Sequence, residues 1–299
     1  MQTLKTIDNI RIAYEVYGDD SAPVILLVMG LGMPSAAWPK RLIEQLIRQG
    51  FRVVVFDNRD SGESTKIDRP VGSFTVFSAI VKTLFRRPVV GCYSLEDMAA
   101  DTVSVLDELQ IKRAHVMGIS MGAMIAQVMA YLYPQRIASL ISVMSASGNP
   151  RTGFGKLRAV RGLLSSPPRT QDIVSMKNYL RKMFKAIGSP GMSYSDEQIE
   201  SVAKSMVHSN YNQMYSYRQL LAILASGDRS KNLRRIMAPT LVIHGQEDPL
   251  LPLKAGEEVL RLIPNSRMMT IRGMGHDLPN PVIDQIVPAV AKHCHRYKD

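Results

Sequence analysis

The 299-residue sequence contains only two cysteines and no long apolar run. Cys92 and Cys294 cannot build a disulfide framework. Cys294 lies between two histidines, but neighbouring residues on a helix point in different directions, so we expect no metal site there. No segment approaches the roughly 20 apolar residues that span a bilayer, and the N-terminal residues lack the apolar core of a signal peptide. These absences predict a cytoplasmic protein without a bound metal.

Acidic residues are also scarce relative to basic ones, because 26 Asp and Glu stand against 37 Lys and Arg and give a net charge of +11. The excess is concentrated in residues 150–235, which hold fifteen basic and five acidic residues. No nucleic-acid-binding motif accompanies this segment, so a solvated basic face is the favoured interpretation. The alternatives are steering of acidic substrates and attraction to an anionic surface. We expect no nucleic-acid partner and no membrane association, and a homo-oligomer stays open.

Short apolar runs alternate with helical patterns along most of the chain. The apolar runs predict strands buried on both faces of a sheet, at residues 24–28, 53–56, 115–117, 140–143, 241–243 and 268–271. Residues 4–7 and 10–17 are predicted to form a hairpin across an Asp8-Asn9 turn. Helices are predicted at residues 36–48, 95–109, 121–131 and 281–295. Strands that alternate with helices predict an α/β fold with a doubly wound, mostly parallel sheet.

Two segments interrupt this alternation. Residues 148–233 contain only helical patterns and are interpreted as an inserted helical cap, which leaves residues 1–147 and 234–299 as the core. Residues 66–93 are interpreted as a smaller insertion near the cap. Within this smaller insertion, residues 74–87 have the apolar spacing of an amphipathic helix.

The segment Gly118-Ile119-Ser120-Met121-Gly122 has the G-x-S-x-G pattern of a nucleophile elbow. A strand pattern precedes it and a helix pattern follows it, as this sharp turn requires. Gly118 and Gly122 would allow the backbone of neighbouring elements to approach. The sequence therefore predicts Ser120 as a nucleophile, whose hydroxyl needs a nearby base to take its proton.

His276 is the candidate base, because it lies in a glycine-containing loop after the last predicted strand. The other five histidines fit worse, since they fall in buried strands, in the cap segment or on the terminal helix. Asp248, which follows the preceding strand, is the candidate acid that orients His276, and Glu247 is its competitor. The order serine, acid, histidine along the chain suits this assignment.

Acyl transfer also needs two backbone N–H groups that stabilise the developing oxyanion. Met121, directly after the nucleophile, is one candidate. The loop after the first predicted parallel strand should supply the other, with Leu31 preferred and Gly32 as the alternative.

Four segments together resemble the α/β-hydrolase superfamily over nearly the whole chain: FDNRDSGEST at 56–65, GISMG at 118–122, HGQEDPLLP at 244–252 and GMGHDLP at 273–279. Residues 113–127 and the DNRDSGEST stretch are similar to the branch that contains aclacinomycin methylesterase. The resemblance implies an α/β-hydrolase fold and the cleavage of a carboxylic ester. It also implies Ser120, Asp248 and His276 as the catalytic triad and Leu31 with Met121 as oxyanion donors.

Two departures limit what the resemblance implies. Met29-Gly30 stands where the superfamily often has His-Gly, although the methylesterase-like branch also has Met-Gly. The 66–93 insertion is longer than in the methylesterase, and the cap segment shows no placeable likeness, so the substrate does not carry over.

We therefore expect a carboxylesterase that works through an acyl-enzyme on a small-molecule ester, with no cofactor. Carbon–carbon bond hydrolases and perhydrolases use the same triad and stay open. An interfacial lipase with 74–87 on lipid and a non-catalytic ligand-binding protein are further alternatives. Dehalogenases and epoxide hydrolases carry an aspartate where this chain has Ser120, which argues against both.

Overall fold

A computed structural model describes residues 1–6, 8–170 and 172–297. The strands of these ranges are β1 (Gln2–Lys5), β2 (Arg11–Tyr17), β3 (Val24–Val28), β4 (Arg52–Phe56), β5 (Ala114–Ile119), β6 (Ile137–Val143), β7 (Thr240–Gly245) and β8 (Ser266–Ile271). They form one sheet in the order β1-β2-β4-β3-β5-β6-β7-β8. The pairs β1–β2 and β2–β4 are antiparallel and the others are parallel, which confirms the predicted fold class.

The helices are α1 (Lys40–Arg48), α2 (Ser73–Leu84), α3 (Leu95–Glu108), α4 (Met121–Leu132), α5 (Pro150–Gly153), α6 (Leu157–Leu163), α7 (Ile173–Ile187), α8 (Asp196–His208), α9 (Gln213–Ser226), α10 (Ser230–Leu233), α11 (Leu253–Leu262) and α12 (Asn280–Arg296). None of the helices within the described ranges is long and apolar enough to cross a membrane.

Helices cover both faces of the sheet, which explains why its central strands are apolar throughout. Alternate residues of β3 point to opposite faces. Ile25 and Leu27 pack with α1 and α12, whereas Leu26 and Val28 pack with α3 and α4. Because β3 to β8 run parallel, their carboxyl ends lie at the same edge of the sheet, and the loops that follow them meet there.

Several predicted boundaries differ from the structure. The strands predicted at 115–117, 140–143 and 268–271 are longer, at Ala114–Ile119, Ile137–Val143 and Ser266–Ile271. The helix predicted at 36–48 begins at Lys40, because Pro39 disfavours helical backbone at Trp38, and Ser35–Ala37 forms a separate 3-10 turn. The helix predicted at 74–87 ends at Leu84, and Arg86 turns the chain with a φ of 53°. In the predicted hairpin the first strand is Gln2–Lys5, and Ile7 lies outside the described residues.

The cap segment, residues 148–233, lies between β6 and β7 and contains α5 to α10. Helix α2, from residues 66–93, packs on α9 through Val76, Ala79 and Leu221. Residues 66–93 and the cap segment are therefore in direct contact.

Candidate active site

Ser120 lies in a strained turn between β5 and α4. Its φ is 52° and its ψ is −119°, a conformation that residues with a side chain rarely adopt. The Ser120 N–H donates to the carbonyl of Val143 at 3.0 Å, and the Ser145 hydroxyl donates to the Ser120 carbonyl at 2.9 Å. These two bonds to β6 and to the loop after it hold the turn in place.

The two glycines around Ser120 are required by close backbone contacts. A Cβ at Gly118 would lie 2.3 Å from the Gly122 carbonyl oxygen, and one at Gly122 would lie 2.0 Å from the carbonyl oxygen of Val28. Because these neighbours are backbone atoms, they cannot move aside cheaply. The glycines allow α4 to start directly against β3 and β5.

A hydrogen-bonded chain runs from Ser120 through His276 to Asp248. His276 Nε2 lies 2.9 Å from Ser120 Oγ, and His276 Nδ1 lies 2.7 Å from Asp248 Oδ2. The other oxygen of Asp248 accepts the N–H groups of Leu250 and Leu251, both at 2.9 Å. The carboxylate is therefore held in one orientation by the turn that follows β7.

Glu247 does not contact His276. Its carboxylate instead accepts the Gly273 N–H at 2.6 Å. The buried strand histidines have partners of their own: His115 Nδ1 bonds to Ser139 Oγ and His244 Nε2 to the Leu251 carbonyl, each at 2.8 Å. The structure thus brings together Ser120, His276 and Asp248.

The terminal His293-Cys294-His295 stretch lies on α12. Burial lowers the pKa of His293 to about 4, and His295 Nε2 lies 3.1 Å from the Gln49 carbonyl oxygen. Within the described residues no cluster of His, Cys, Asp or Glu is arranged to hold a metal ion.

The loop of His276 is tied to the cap segment. The His276 N–H donates to the carbonyl of Ile187 at 2.8 Å. Ser189 accepts the Gly275 N–H at 2.8 Å, and its hydroxyl donates to the buried carboxylate of Asp277. Burial raises the pKa of Asp277 to about 6. The position of the imidazole therefore depends on the cap segment as well as on the sheet.

The loop after β3 lies beside Ser120, where Leu31 and Met121 line the same cavity. The Gly32 N–H is already engaged, because it donates to Gln219 Oε1 at 2.7 Å. Gln219 is buried on α9 and also donates to the Arg59 carbonyl at 2.8 Å. Sequence analysis missed Gln219, since no local pattern marks a residue that acts across 187 positions.

The 56–65 segment, which carried part of the family resemblance, supports this loop. Asn58 donates to the Met29 carbonyl at 3.0 Å, and Asp57 accepts the Ser35 N–H at 2.6 Å. Asp60 forms a buried two-pronged ion pair with Arg218 of α9, at 2.6 and 2.8 Å. These polar side chains are of types usually found at the surface, but here they are buried. Their hydrogen bonds hold the loop after β3 and connect the 56–65 segment to the cap segment.

A cavity of about 280 Å³ lies over Ser120, between the sheet and the cap segment. No lysine, arginine or glutamate is among the described residues that line it, and Asp277 is its one aspartate. Most of the wall is apolar and includes Met29, Met124, Leu163, Phe184, Leu224 and Leu251. The site can accept an uncharged apolar group but offers no cation to bind an anionic one.

Comparison with known proteins agrees with this arrangement. A family model described as the alpha/beta hydrolase fold matches residues 23–279. The chain belongs to the α/β-hydrolase family. The chain is also similar to rhodomycin D methylesterase of Streptomyces peucetius, with 24% identity over 96% of each chain. The similarity to a methylesterase branch that the sequence motifs indicated is thereby confirmed.

Other relatives in the family have different activities. The 2-hydroxy-6-oxononadienedioate/2-hydroxy-6-oxononatrienedioate hydrolase of Cupriavidus pinatubonensis is 26% identical over 85% of this chain and 81% of its own. A thermophilic esterase from Thermogutta terrifontis, 22% identical, has the same fold with a TM-score of 0.74 over the full length of both chains. The family membership makes this chain a hydrolase and leaves the bond that it cleaves to be argued from the site.

Proposed function

We propose that the protein is a serine carboxylesterase that cleaves uncharged, apolar esters through an acyl-enzyme. The observation that carries this proposal is the hydrogen-bonded chain of Ser120, His276 and Asp248 at the base of an apolar cavity. The cap segment supplies the opposite wall of that cavity, and we propose that it acts as a cap domain.

In the first half of the reaction, Ser120 Oγ attacks the ester carbonyl while His276 Nε2 takes the hydroxyl proton. Asp248 stabilises the imidazolium and keeps its Nδ1–H oriented. The N–H groups of Leu31 and Met121 stabilise the oxyanion. Leu31 is preferred over Gly32 because Gln219 occupies the Gly32 amide.

Collapse of the tetrahedral intermediate breaks the bond to the alcohol oxygen, and His276 donates its proton to the departing alcohol. A water molecule then attacks the acyl-enzyme, and His276 takes a proton from that water. The second collapse releases the carboxylic acid and returns the proton to Ser120 Oγ. Apart from the ester and this water, each step uses only Ser120, His276, Asp248 and the two oxyanion donors.

The lining of the cavity favours an ester over the carbon–carbon substrate of the dienedioate hydrolase. A dienedioate carries two carboxylates, and burying a carboxylate without a cation is costly. This cavity has no lysine or arginine in its described wall, and Asp277 would repel an anion. A methyl ester group, the bond named by the methylesterase relatives, is itself uncharged and meets no such penalty.

The direct test replaces Ser120. Ser120→Ala should lower the hydrolysis of a small p-nitrophenyl ester by about 10⁴-fold or more, because the nucleophile is lost. The same variant should no longer be labelled by a fluorophosphonate probe. Ser201→Ala, which removes an exposed hydroxyl from α8, is the matched control and should keep both properties. Wild-type hydrolysis by Ser120→Ala would refute the proposal.

A further inference from the structure

Helix α2 has two apolar faces, of which only one is packed. Val76 and Ala79 are buried against α9. Phe74 and Phe77 lie on the other side of the helix, and 81% and 64% of their surface is exposed. Phe85, just beyond the helix, is 74% exposed and follows the same helical spacing. Isolated exposed apolar residues are ordinary, but this stripe of aromatic side chains is not.

Three exposed cations accompany the stripe. Lys82, Arg86 and Arg87 are in the last turn of α2 and just after it, and none of them has an ion-pair partner among the described residues. A helix with large apolar residues on one face and basic residues beside them is typical of helices that lie in the interface of an anionic bilayer.

The helix that carries the stripe also borders the cavity over Ser120. Ile80 and Thr83, on the same helix, line the cavity over Ser120. Phe154 also lines the cavity and is partly exposed, and Leu157 near it is 64% exposed between Lys156 and Arg158. These two of the segments that border the cavity thus combine exposed apolar side chains with exposed cations.

A second copy of the chain fits this surface less well. Two copies that met symmetrically through α2 would place Lys82, Arg86 and Arg87 of one beside those of the other. Residues 150–235, which include almost all of the cap segment, carry a net charge of +10. An anionic surface complements these charges, whereas a symmetric dimer would bring like charges together.

We propose that α2 and the adjoining residues 85–87, together with 154–158, form a docking surface for an anionic lipid bilayer. Docking would place the apolar cavity against the membrane, so that an apolar ester dissolved in the bilayer could reach Ser120 without crossing water. The substrate class that this adds to the proposed esterase is a membrane-dissolved, uncharged ester.

Binding is tested first, with full-length Ser120→Ala protein and vesicles of phosphatidylcholine with or without anionic phosphatidylglycerol. Anionic vesicles should bind the protein about tenfold more tightly, and added salt should weaken this binding. The double variant Phe74→Ser/Phe77→Ser should reduce binding by about tenfold. Met237→Ser, which removes an equally exposed apolar side chain away from the cavity, should bind like the parent.

Hydrolysis is then measured with proteins that keep Ser120. The phenylalanine variant should retain its rate on a water-soluble ester and lose rate only on an ester carried in anionic vesicles. Equal vesicle binding by the phenylalanine variant, the Met237 variant and the parent would overturn the docking proposal. So would a dimer that the phenylalanine variant dissociates without any change in vesicle binding, because the stripe would then belong to a second copy.

Because binding is measured without the nucleophile, these results are independent of the esterase assignment. Vesicle binding with no esterase activity would refute only the proposed function. Esterase activity without vesicle binding would refute only the docking surface.

Discussion

Asp277 follows His276 directly, but its environment makes it a different kind of carboxyl group from Asp248. The Asp277 side chain is buried, and Ser189 of the cap segment donates from its N–H and its hydroxyl to Oδ1. Desolvation is the main cause of its raised pKa, His276 opposes the shift, and Asp248 adds to it. Tyr194 lies in the same region, and burial raises its pKa.

The raised pKa of Asp277 predicts a pH effect on stability. A pKa raised from 3.8 to about 6 means that the folded state binds this proton more tightly than the unfolded chain. The resulting stabilisation is complete below about pH 4 and is lost as the pH rises through about 6. Asp277→Asn cannot ionise, so its stability relative to wild type should increase on the order of 2 kcal/mol between those limits.

Urea unfolding at about pH 4 and about pH 7.5 measures this difference. Asp284→Asn is the matched control, because the hydrogen bond from Arg41 lowers the pKa of this exposed carboxyl group. Its stability relative to wild type should change in the opposite direction. A difference between Asp277→Asn and wild type that does not vary with pH would show that folding does not raise the pKa of Asp277.

Helix α9 joins the cap segment to the loops that follow β3 and β4, beside the site. Its neighbouring residues Arg218 and Gln219 reach different partners: Arg218 holds Asp60, and Gln219 holds the backbone of Gly32 and Arg59. The Arg218 and Asp60 side chains are almost fully buried, at 2% and 0% exposure. A buried pair of this kind makes the two segments depend on one another.

Breaking this pair should therefore be costly. Arg218→Met leaves the Asp60 carboxylate buried with Tyr93 as its remaining side-chain donor, and we expect a loss of about 3–5 kcal/mol in the free energy of unfolding. Asp60→Asn/Arg218→Met removes both charges, and Asn tolerates the left-handed backbone at position 60. The double variant should lose much less than the single one in urea unfolding.

An exposed ion pair on the cap segment supplies the comparison. Arg181→Met breaks the pair between Arg181 and Asp196, whose side chains are 44% and 69% exposed. Solvent screening limits its expected cost to about 1 kcal/mol or less. If Arg218→Met cost no more than Arg181→Met, the buried pair would not couple α9 to the core.

At the scale of the molecule, the cavity enclosed by sheet and cap segment determines which esters are accepted. The methyl ester of octanoic acid and the monomethyl ester of suberic acid have chains of equal length, but the second ends in a carboxylate. The apolar wall without lysine or arginine predicts that kcat/KM for the charged ester is lower by about 100-fold or more.

Measuring kcat/KM for both esters below their aggregation concentrations tests this selectivity. A neutral amide in place of the terminal carboxylate separates the effect of charge from that of polarity, and it should recover part of the rate. Comparable kcat/KM values for the charged and uncharged esters would contradict a cavity without a cationic contact.

Local constraints made several features predictable from the sequence. Ser120 is predictable because its strained turn needs glycine on both sides, and Gly118 and Gly122 lie only two residues from it in the sequence. The central strands β3 to β7 are predictable because burial on both faces requires uninterrupted apolar runs. The predicted burial of 268–271 is wrong, because most of β8 is half-buried or exposed. The apolar pattern alone predicts α1 from residue 36, but Pro39 disfavours helical backbone at Trp38 and the helix begins at Lys40.

The sequence by itself determined the fold class, the elbow at Ser120 and the order of the candidate residues, since each depends on neighbours in the chain. Only the tertiary structure decided that Asp248 contacts His276, that Gln219 occupies the Gly32 amide and that Arg218 pairs with Asp60. It also decided which face of α2 is left exposed. Those contacts join residues far apart in sequence. They form only when whole helices and strands pack together, and no local sequence pattern marks that packing.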